Sequence, residues 1–189
     1  VHYIDTDLPD IITTKIEFIK ILQKEDLNTN GKIELLPLNA LDKDSFLEII
    51  GHFPTGNITI VNEGLLTYLI KQEKEKLCAI IHDILTLRGG YWITADIGLK
   101  NKETKLGLSY SGEIKKFNEQ HNTEGNSFES FEEAEIFFKN NGFVIDKVAT
   151  VNYSEMSSFK YFKRSMTLRH LFKMRNTRQI FATWQLKAV

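Results

Sequence analysis

Three groups of polar residues follow short apolar runs of the sequence, and each group offers contacts that a nucleotide-containing ligand needs. Asp7, or Asp5 just before it, can accept hydrogen bonds from both hydroxyl groups of a ribose. Residues 39 to 42 follow the second run and can read an adenine edge with a side-chain amide, a carboxylate and backbone groups. Glu63, with Gly64 after it, can pair with an ammonium group through a charge-assisted contact.

Strands alternate with helices along most of the chain, and this alternation predicts a parallel α/β sheet with helices on both faces. In such doubly wound sheets, ligands bind outside the carboxyl ends of the strands, which is where the three polar groups lie. The predicted strands cover residues 2–5, 32–37, 58–61, 91–97, 143–151 and 179–186. The predicted helices begin at Pro9, lie at about 45–50, run from after Gly64 to the pair Gly89-Gly90, and begin after a capping box at Ser130 and Glu133.

Composition and charge indicate the class of protein. The 189 residues are 42% hydrophobic and 26% charged, which fits one globular domain spanning 1–189. No apolar run is long enough for a membrane span, and we expect a cytoplasmic protein with Cys78 as a buried thiol. The net charge of -1 divides into -9 for residues 1–155 and +8 for the remainder, where no acidic residue occurs.

Two sequence stretches resemble the leucine carboxyl methyltransferase family, a group of class I S-adenosylmethionine-dependent enzymes that includes bacterial small-molecule O-methyltransferases. The first is the "DLP" of residues 7–9, and the second is the "EGLLTYL" of residues 63–69. They occur in the family's order, with one strand-helix unit between them. The resemblance is best over residues 1–97, and it implies a Rossmann-like methyltransferase fold with an antiparallel last strand, S-adenosyl-L-methionine as cofactor and a small-molecule methyl acceptor.

The resemblance also implies roles for individual residues. Asp7 would bind the cofactor ribose, and Glu63 with Gly64 would hold the methionine amino group. The adenine would be contacted by Asn39, Ala40, Leu41 and Asp42. Family members often have Asp where this chain has Asn39, and an amide oxygen can still accept from the adenine amino group. The family's first strand and glycine-rich loop have no counterpart here, and we expect the missing strand to lie between the strand ending at Asp7 and the strand ending at Glu63.

Structural alternatives exist for the same residues. Asp7 can be a helix cap before Pro9, and Asn39 and Asp42 can cap the following helix. The histidines show no metal-ligand spacing, so no metal site is predicted, and His121 is the one histidine worth testing for catalysis. No general base and no oligomeric state can be assigned from the sequence.

Two regions outside the predicted strand ends also suggest functions, and two other functions fit the sequence. Residues 98–128 are irregular and polar, as expected of a lid or binding loop. The basic segment at 157–175 suggests an anionic partner, but without a recognised binding module we expect no nucleic acid. The alternative functions are a catalytically inactive interaction module and a methyltransferase acting on a protein carboxylate or on RNA.

Overall fold

The computed structural model describes residues 1–22, 31–100, 116, 120, 122–123, 125–150 and 181–189. Most of the predicted loop at 98–128, including His121, lies outside the described residues, and so does the whole basic segment at 157–175. The elements, in chain order, are β1 (His2–Asp7), α1 (Pro9–Leu22), β2 (Lys32–Pro37), α2 (Lys43–Gly51), β3 (Ile58–Asn62), a 3-10 turn (Leu66–Tyr68), α3 (Lys71–Arg88), β4 (Gly90–Gly98), α4 (Phe131–Asn140), β5 (Phe143–Val148) and β6 (Phe181–Ala188).

The strands form two sheets. In the first sheet β1 pairs with β2 in parallel, and in the second the order is β3-β4-β6-β5. Strand β3 is parallel to β4, whereas β6 is antiparallel to both β4 and β5, which confirms the predicted antiparallel last strand. No ladder joins β1 to β3 among the described residues, so each of these strands presents one unpaired edge. The family resemblance implies a further strand at this same position.

The core lies between α3, α4 and the four-stranded sheet. The apolar face of α3 is fully buried: Leu77, Ile80, Ile81, Ile84 and Leu85. Cys78 is also buried, as expected. The sheet contributes Trp92, whose ring meets those of Phe138 and Phe143 edge-on at centroid distances of 5.5 and 5.3 Å. Edge-to-face aromatic packing of this kind fixes how α4 sits on the sheet.

Local signals set the ends of the helices. Ser130 is the N-cap of α4 and accepts from the Glu133 amide at 3.2 Å, as predicted. The Glu133 carboxylate accepts from the backbone amide of Glu129, so the box closes one residue earlier than its sequence pattern indicates. Gly89 ends α3 with a φ of 72°, a backbone conformation that glycine adopts without steric cost.

Helix α1 packs on the two-stranded sheet with one side only. Ile12 is buried, and Ile16 and Ile19 are half-buried. The same face extends in the sequence to Leu22, but that residue is 49% exposed. Among the helices described, none is both long and apolar enough to cross a bilayer.

Candidate functional site

Asp7 is the last residue of β1, and its carboxylate is held from two sides. Its Oδ1 accepts from the Leu8 amide at 2.9 Å, and its Oδ2 lies 3.2 Å from Nζ of Lys15. The first helical bonds of α1 are accepted by the carbonyl of Leu8, so Asp7 is not the helix cap that we considered as an alternative. The Asp7 side chain is 40% exposed, and its carboxylate is open to a ligand.

Lys15 joins the two acids of β1. Its ammonium donates to Asp5 at 3.0 Å and also lies against Asp7. Partial burial lowers the pKa of Lys15, but the hydrogen bonds and charges of the two carboxylates outweigh this effect, and the net pKa is raised. The lysine is therefore a persistent cation beside the predicted ribose-binding residue.

The segment from Asn39 to Asp42 turns the chain from β2 into α2. The Leu38 amide donates to the Asp7 carbonyl at 2.8 Å, which places this segment beside the end of β1. Asn39 accepts from the Leu41 amide at 3.0 Å through its side-chain oxygen, and its carbonyl accepts from the Asp42 amide. The first two polar groups predicted from the sequence are thus neighbours in the structure.

Asp42 is the N-cap of α2. Its Oδ1 accepts from the amides of Asp44 and Ser45 at 3.1 and 3.4 Å, and its Oδ2 accepts from the Ser45 hydroxyl at 2.9 Å. The Ser45 hydroxyl, followed by these amides, lowers the pKa of Asp42. The capping alternative is confirmed for this residue.

Glu63 follows β3 directly and is exposed. No hydrogen bond or ion pair to its carboxylate occurs within the part of the chain that the structure describes, in contrast to Asp7 and Asp42. Gly64 adopts a φ of 71°, no atom lies within 4 Å of the position that a β-carbon would take, and the residue turns the chain toward the 3-10 turn. Tyr68 is 44% exposed, whereas Leu69 is buried.

A buried carboxylate holds the turn that carries Glu63. Asp96 is 8% exposed and belongs to the neighbouring strand β4. Its Oδ1 accepts from the Gly64 amide at 2.7 Å, and its Oδ2 accepts from the amides of Leu65 and Leu66 at 2.7 and 2.9 Å. A fourth donor, Nδ2 of Asn62, reaches Oδ2 at 2.7 Å. Four donors on one carboxylate offset the cost of removing its charge from water.

The same network extends into the core. Nδ2 of Asn62 also donates to the Thr94 hydroxyl at 3.1 Å, and its Oδ1 accepts from the indole of Trp92 at 2.6 Å. Sequence reasoning did not identify Asn62 or Asp96. The available signal was the alternation of Trp92, Thr94 and Asp96 on one face of a predicted strand, which placed an acid on the same side as a buried tryptophan.

A cavity of about 340 Å³ lies between α3, α4 and residues 125–128. Lys74 lines it, is 4% exposed, donates to the Asn126 carbonyl and lies 5.1 Å from the centre of the Phe128 ring. Burial lowers the pKa of this ammonium. The negative charge of Glu133 raises the pKa, and the positive charge of Lys100 lowers it further. No cluster of His, Cys, Asp or Glu suited to a metal ion occurs among the described residues.

Comparisons with known proteins give a fold and no family. No family model matches the sequence, and no curated protein matches it. Solved structures do match. The mitomycin 7-O-methyltransferase MmcR aligns with a TM-score of 0.54 at 8% identity, over 98% of this chain and 41% of its own. LaPhzM gives 0.53 at 10% identity, over 98% of this chain and 42% of its own. LepI in complex with SAM gives 0.51 at 9% identity, over 100% of this chain and 36% of its own.

The likeness confirms the predicted fold class, a Rossmann-like α/β methyltransferase fold with a mixed sheet. The chain spans 36% to 42% of the length of these three structures. A further match, with a TM-score of 0.52, is to a pericyclic reaction enzyme. The fold therefore accommodates more than one kind of reaction.

Proposed function

We propose that this chain is the cofactor-binding part of an S-adenosylmethionine-dependent methyltransferase that methylates an oxygen, a hydroxyl or a carboxylate, of a small molecule. The observation that carries the proposal is the exposed Glu63 carboxylate, which has no partner among the described residues and stands on a fixed turn at the end of β3. In this fold, strand ends are where ligands bind. Support also comes from the fold shared with an O-methyltransferase and with a protein in complex with SAM.

Under this proposal each strand end has one task. Asp7 accepts from the ribose hydroxyls, and Glu63 with Gly64 receives the methionine ammonium. Asn39 and the backbone of Ala40 and Leu41 contact the adenine. Asp42, which caps α2 through both carboxylate oxygens, holds this turn in front of the adenine.

The chemistry requires positioning more than proton transfer. S-adenosylmethionine supplies a sulfonium-bound methyl group that is open to in-line displacement. The task of these residues is to hold the two ends of the cofactor so that the methyl group faces the acceptor at about 3 to 3.5 Å. A carboxylate acceptor needs no base at neutral pH, whereas a hydroxyl acceptor does.

Two finer assignments belong to the same proposal. The "DLP" and "EGLLTYL" stretches support a place near the leucine carboxyl methyltransferase family. The free, buried thiol of Cys78 supports a cytoplasmic location, where thiols stay reduced.

Calorimetric titration of the full-length protein with S-adenosylmethionine and S-adenosylhomocysteine tests the cofactor. We expect Glu63→Gln to weaken binding about 10- to 100-fold, because it removes one charge-assisted contact. Asp7→Asn is expected to have a similar effect. The matched controls are Glu48→Gln and Asp10→Asn, the same substitutions at exposed helical positions outside the site. Unchanged affinity in both site variants would refute the residue assignment, and no binding to the parent protein would refute the cofactor.

Transfer of a labelled methyl group tests the reaction itself. We expect label in the small-molecule fraction of a metabolite extract, in a product that alkaline hydrolysis distinguishes as ester or ether. Label in protein or RNA instead would show that the methyl acceptor is a macromolecule and not a small molecule. Cofactor binding without any transfer would favour the interaction module.

A further inference from the structure

Asp96 has a place in the site that the proposed cofactor contacts do not explain. It is a buried acid of β4, yet its hydrogen bonds leave its own strand and converge on the turn after β3. In the chain, Glu63 stands between two residues that donate to Asp96, Asn62 before it and Gly64 after it. One carboxylate thus holds the side chain of the residue before Glu63 and the backbone amide of the residue after it.

The direction of the bonds matters. Three successive backbone amides, of Gly64, Leu65 and Leu66, point inward to Asp96. Because the backbone amides and the Asn62 amide face the core, the Glu63 side chain is left on the exposed side of the turn. The carboxylate of Asp96 is shielded by its four donors and is not itself available to a ligand, so the two acids have different tasks.

We propose that Asp96 is the positioning residue of the cofactor site: it orients Glu63 for the ammonium group of S-adenosylmethionine through the turn at residues 62–66. This inference rests on the proposed function. Asp96→Asn retains the size of the side chain, but it leaves one acceptor oxygen in place of two and turns an NH2 group toward backbone donors. The turn cannot keep all four bonds in this variant.

The first readout needs no ligand. We expect the amides of Gly64, Leu65 and Leu66 to exchange with deuterium about tenfold faster, or more, in Asp96→Asn than in the parent protein. Ile84→Val, a substitution in the buried face of α3, serves as the control for general loss of stability. Unchanged exchange at the three amides in Asp96→Asn would overturn the proposal.

The second readout is a double-mutant cycle on cofactor affinity. We expect Asp96→Asn to weaken S-adenosylmethionine binding at least tenfold when Glu63 is present and less than threefold in the Glu63→Gln background, because the loss acts through Glu63. An equal loss in both backgrounds would mean a general structural role and would overturn positioning. If the parent binds and Glu63→Gln weakens binding but Asp96→Asn does not, positioning fails while the proposed function stands. No binding to the parent protein refutes the proposed function and this inference with it.

Gly64→Ala provides a variant that leaves the core untouched. Nothing lies within 4 Å of an added β-carbon, but the φ of 71° disfavours alanine, so the substitution tilts the turn without a steric clash. In a second double-mutant cycle with this variant, we expect the loss of cofactor affinity to depend on Glu63 in the same way. This cycle tests the proposal even if Asp96→Asn fails to fold. Affinity unaffected by Gly64→Ala would contradict the requirement for a fixed turn.

Discussion

Gly90 opens β4 at a point where no side chain fits. Its φ is 109°, and it pairs with Ile58 across the parallel ladder between β3 and β4. A β-carbon at this position would lie 1.7 Å from the Ile58 carbonyl oxygen and 2.9 Å from its nitrogen. Gly90→Ala should therefore destabilise the joint between the two strands that carry the Glu63 turn and Asp96.

The size of the effect follows from two costs. The positive φ costs alanine about 1–3 kcal/mol. Relief of the clash requires the β-carbon to move from 1.7 Å to at least 3.0 Å from a backbone atom, which breaks the adjoining ladder bonds. Two lost hydrogen bonds add about 1–3 kcal/mol, so the expected decrease in the free energy of unfolding is about 2–6 kcal/mol. This is a large part of the 5–15 kcal/mol that typically stabilises a domain.

Urea unfolding followed by tryptophan fluorescence measures the change, because Trp92 and Trp184 are buried in the same sheet. The matched control is Gly51→Ala at the end of α2, where no atom lies within 4 Å of the added carbon. Alanine there should raise the free energy of unfolding by about 0.4–1 kcal/mol. A Gly90→Ala protein within about 1 kcal/mol of the parent, or the same sign of change at both glycines, would refute the steric reasoning.

Three other predictions concern titratable groups. Burial raises the pKa of the Cys78 thiol to about 12, so alkylation of the native protein at pH 8 should be far slower than in urea, and equal rates would contradict the burial. Burial lowers the pKa of Lys74, so the unfolded state binds more protons just below pH 10.5 and the lysine costs less stability as the pH rises. Lys74→Met removes this cost and should be more stable than the parent at neutral pH. The difference in stability, measured by thermal unfolding, should therefore shrink toward pH 10.5, and a difference independent of pH would count against this. Hydrogen bonds from Lys32, His2 and His52 hold the pKa of Glu34 at about 2. The stabilisation by Glu34 is then present above pH 4.5 and lost as the pH falls toward 2, so the stability of the parent should approach that of Glu34→Gln over this range.

The sequence predicted those parts of the fold that depend on local signals. Pro9 begins α1, Ser130 caps α4 and Gly89 ends α3, each for a reason contained in a few neighbouring residues. The order β3-β4-β6-β5 depends on contacts between distant segments, and spacing alone does not reveal it. The antiparallel direction of the last strand follows from the family resemblance and not from the pattern of residues 179–186.

In the candidate site, too, some residues are predictable from local sequence and others depend on contacts between distant segments. Glu63 and Asp7 stand at strand ends, where sequence position alone makes them visible. Asp96 lies inside a strand, and its importance comes from amides in the turn after β3, which the pattern of residues 91–97 does not identify as its partners. Asp42 shows the opposite difficulty, because a helix cap and a ligand contact require the same residue type at the same place, and only the hydrogen bonds of its two oxygens distinguish them.

The environments of Asp7 and Asp96 show why one acid suits a ligand and the other a support. The charged partner of Asp7 is Lys15, whose side chain is 34% exposed, and ion pairs that are open to water contribute about 0–1 kcal/mol. If Asp7 binds the ribose as proposed, the ribose shares or displaces this lysine at low cost. The partners of Asp96 include three main-chain amides that cannot move without unfolding the turn. The acid with a replaceable partner can accept a ligand, and the acid with fixed partners can define where the ligand-binding residue stands.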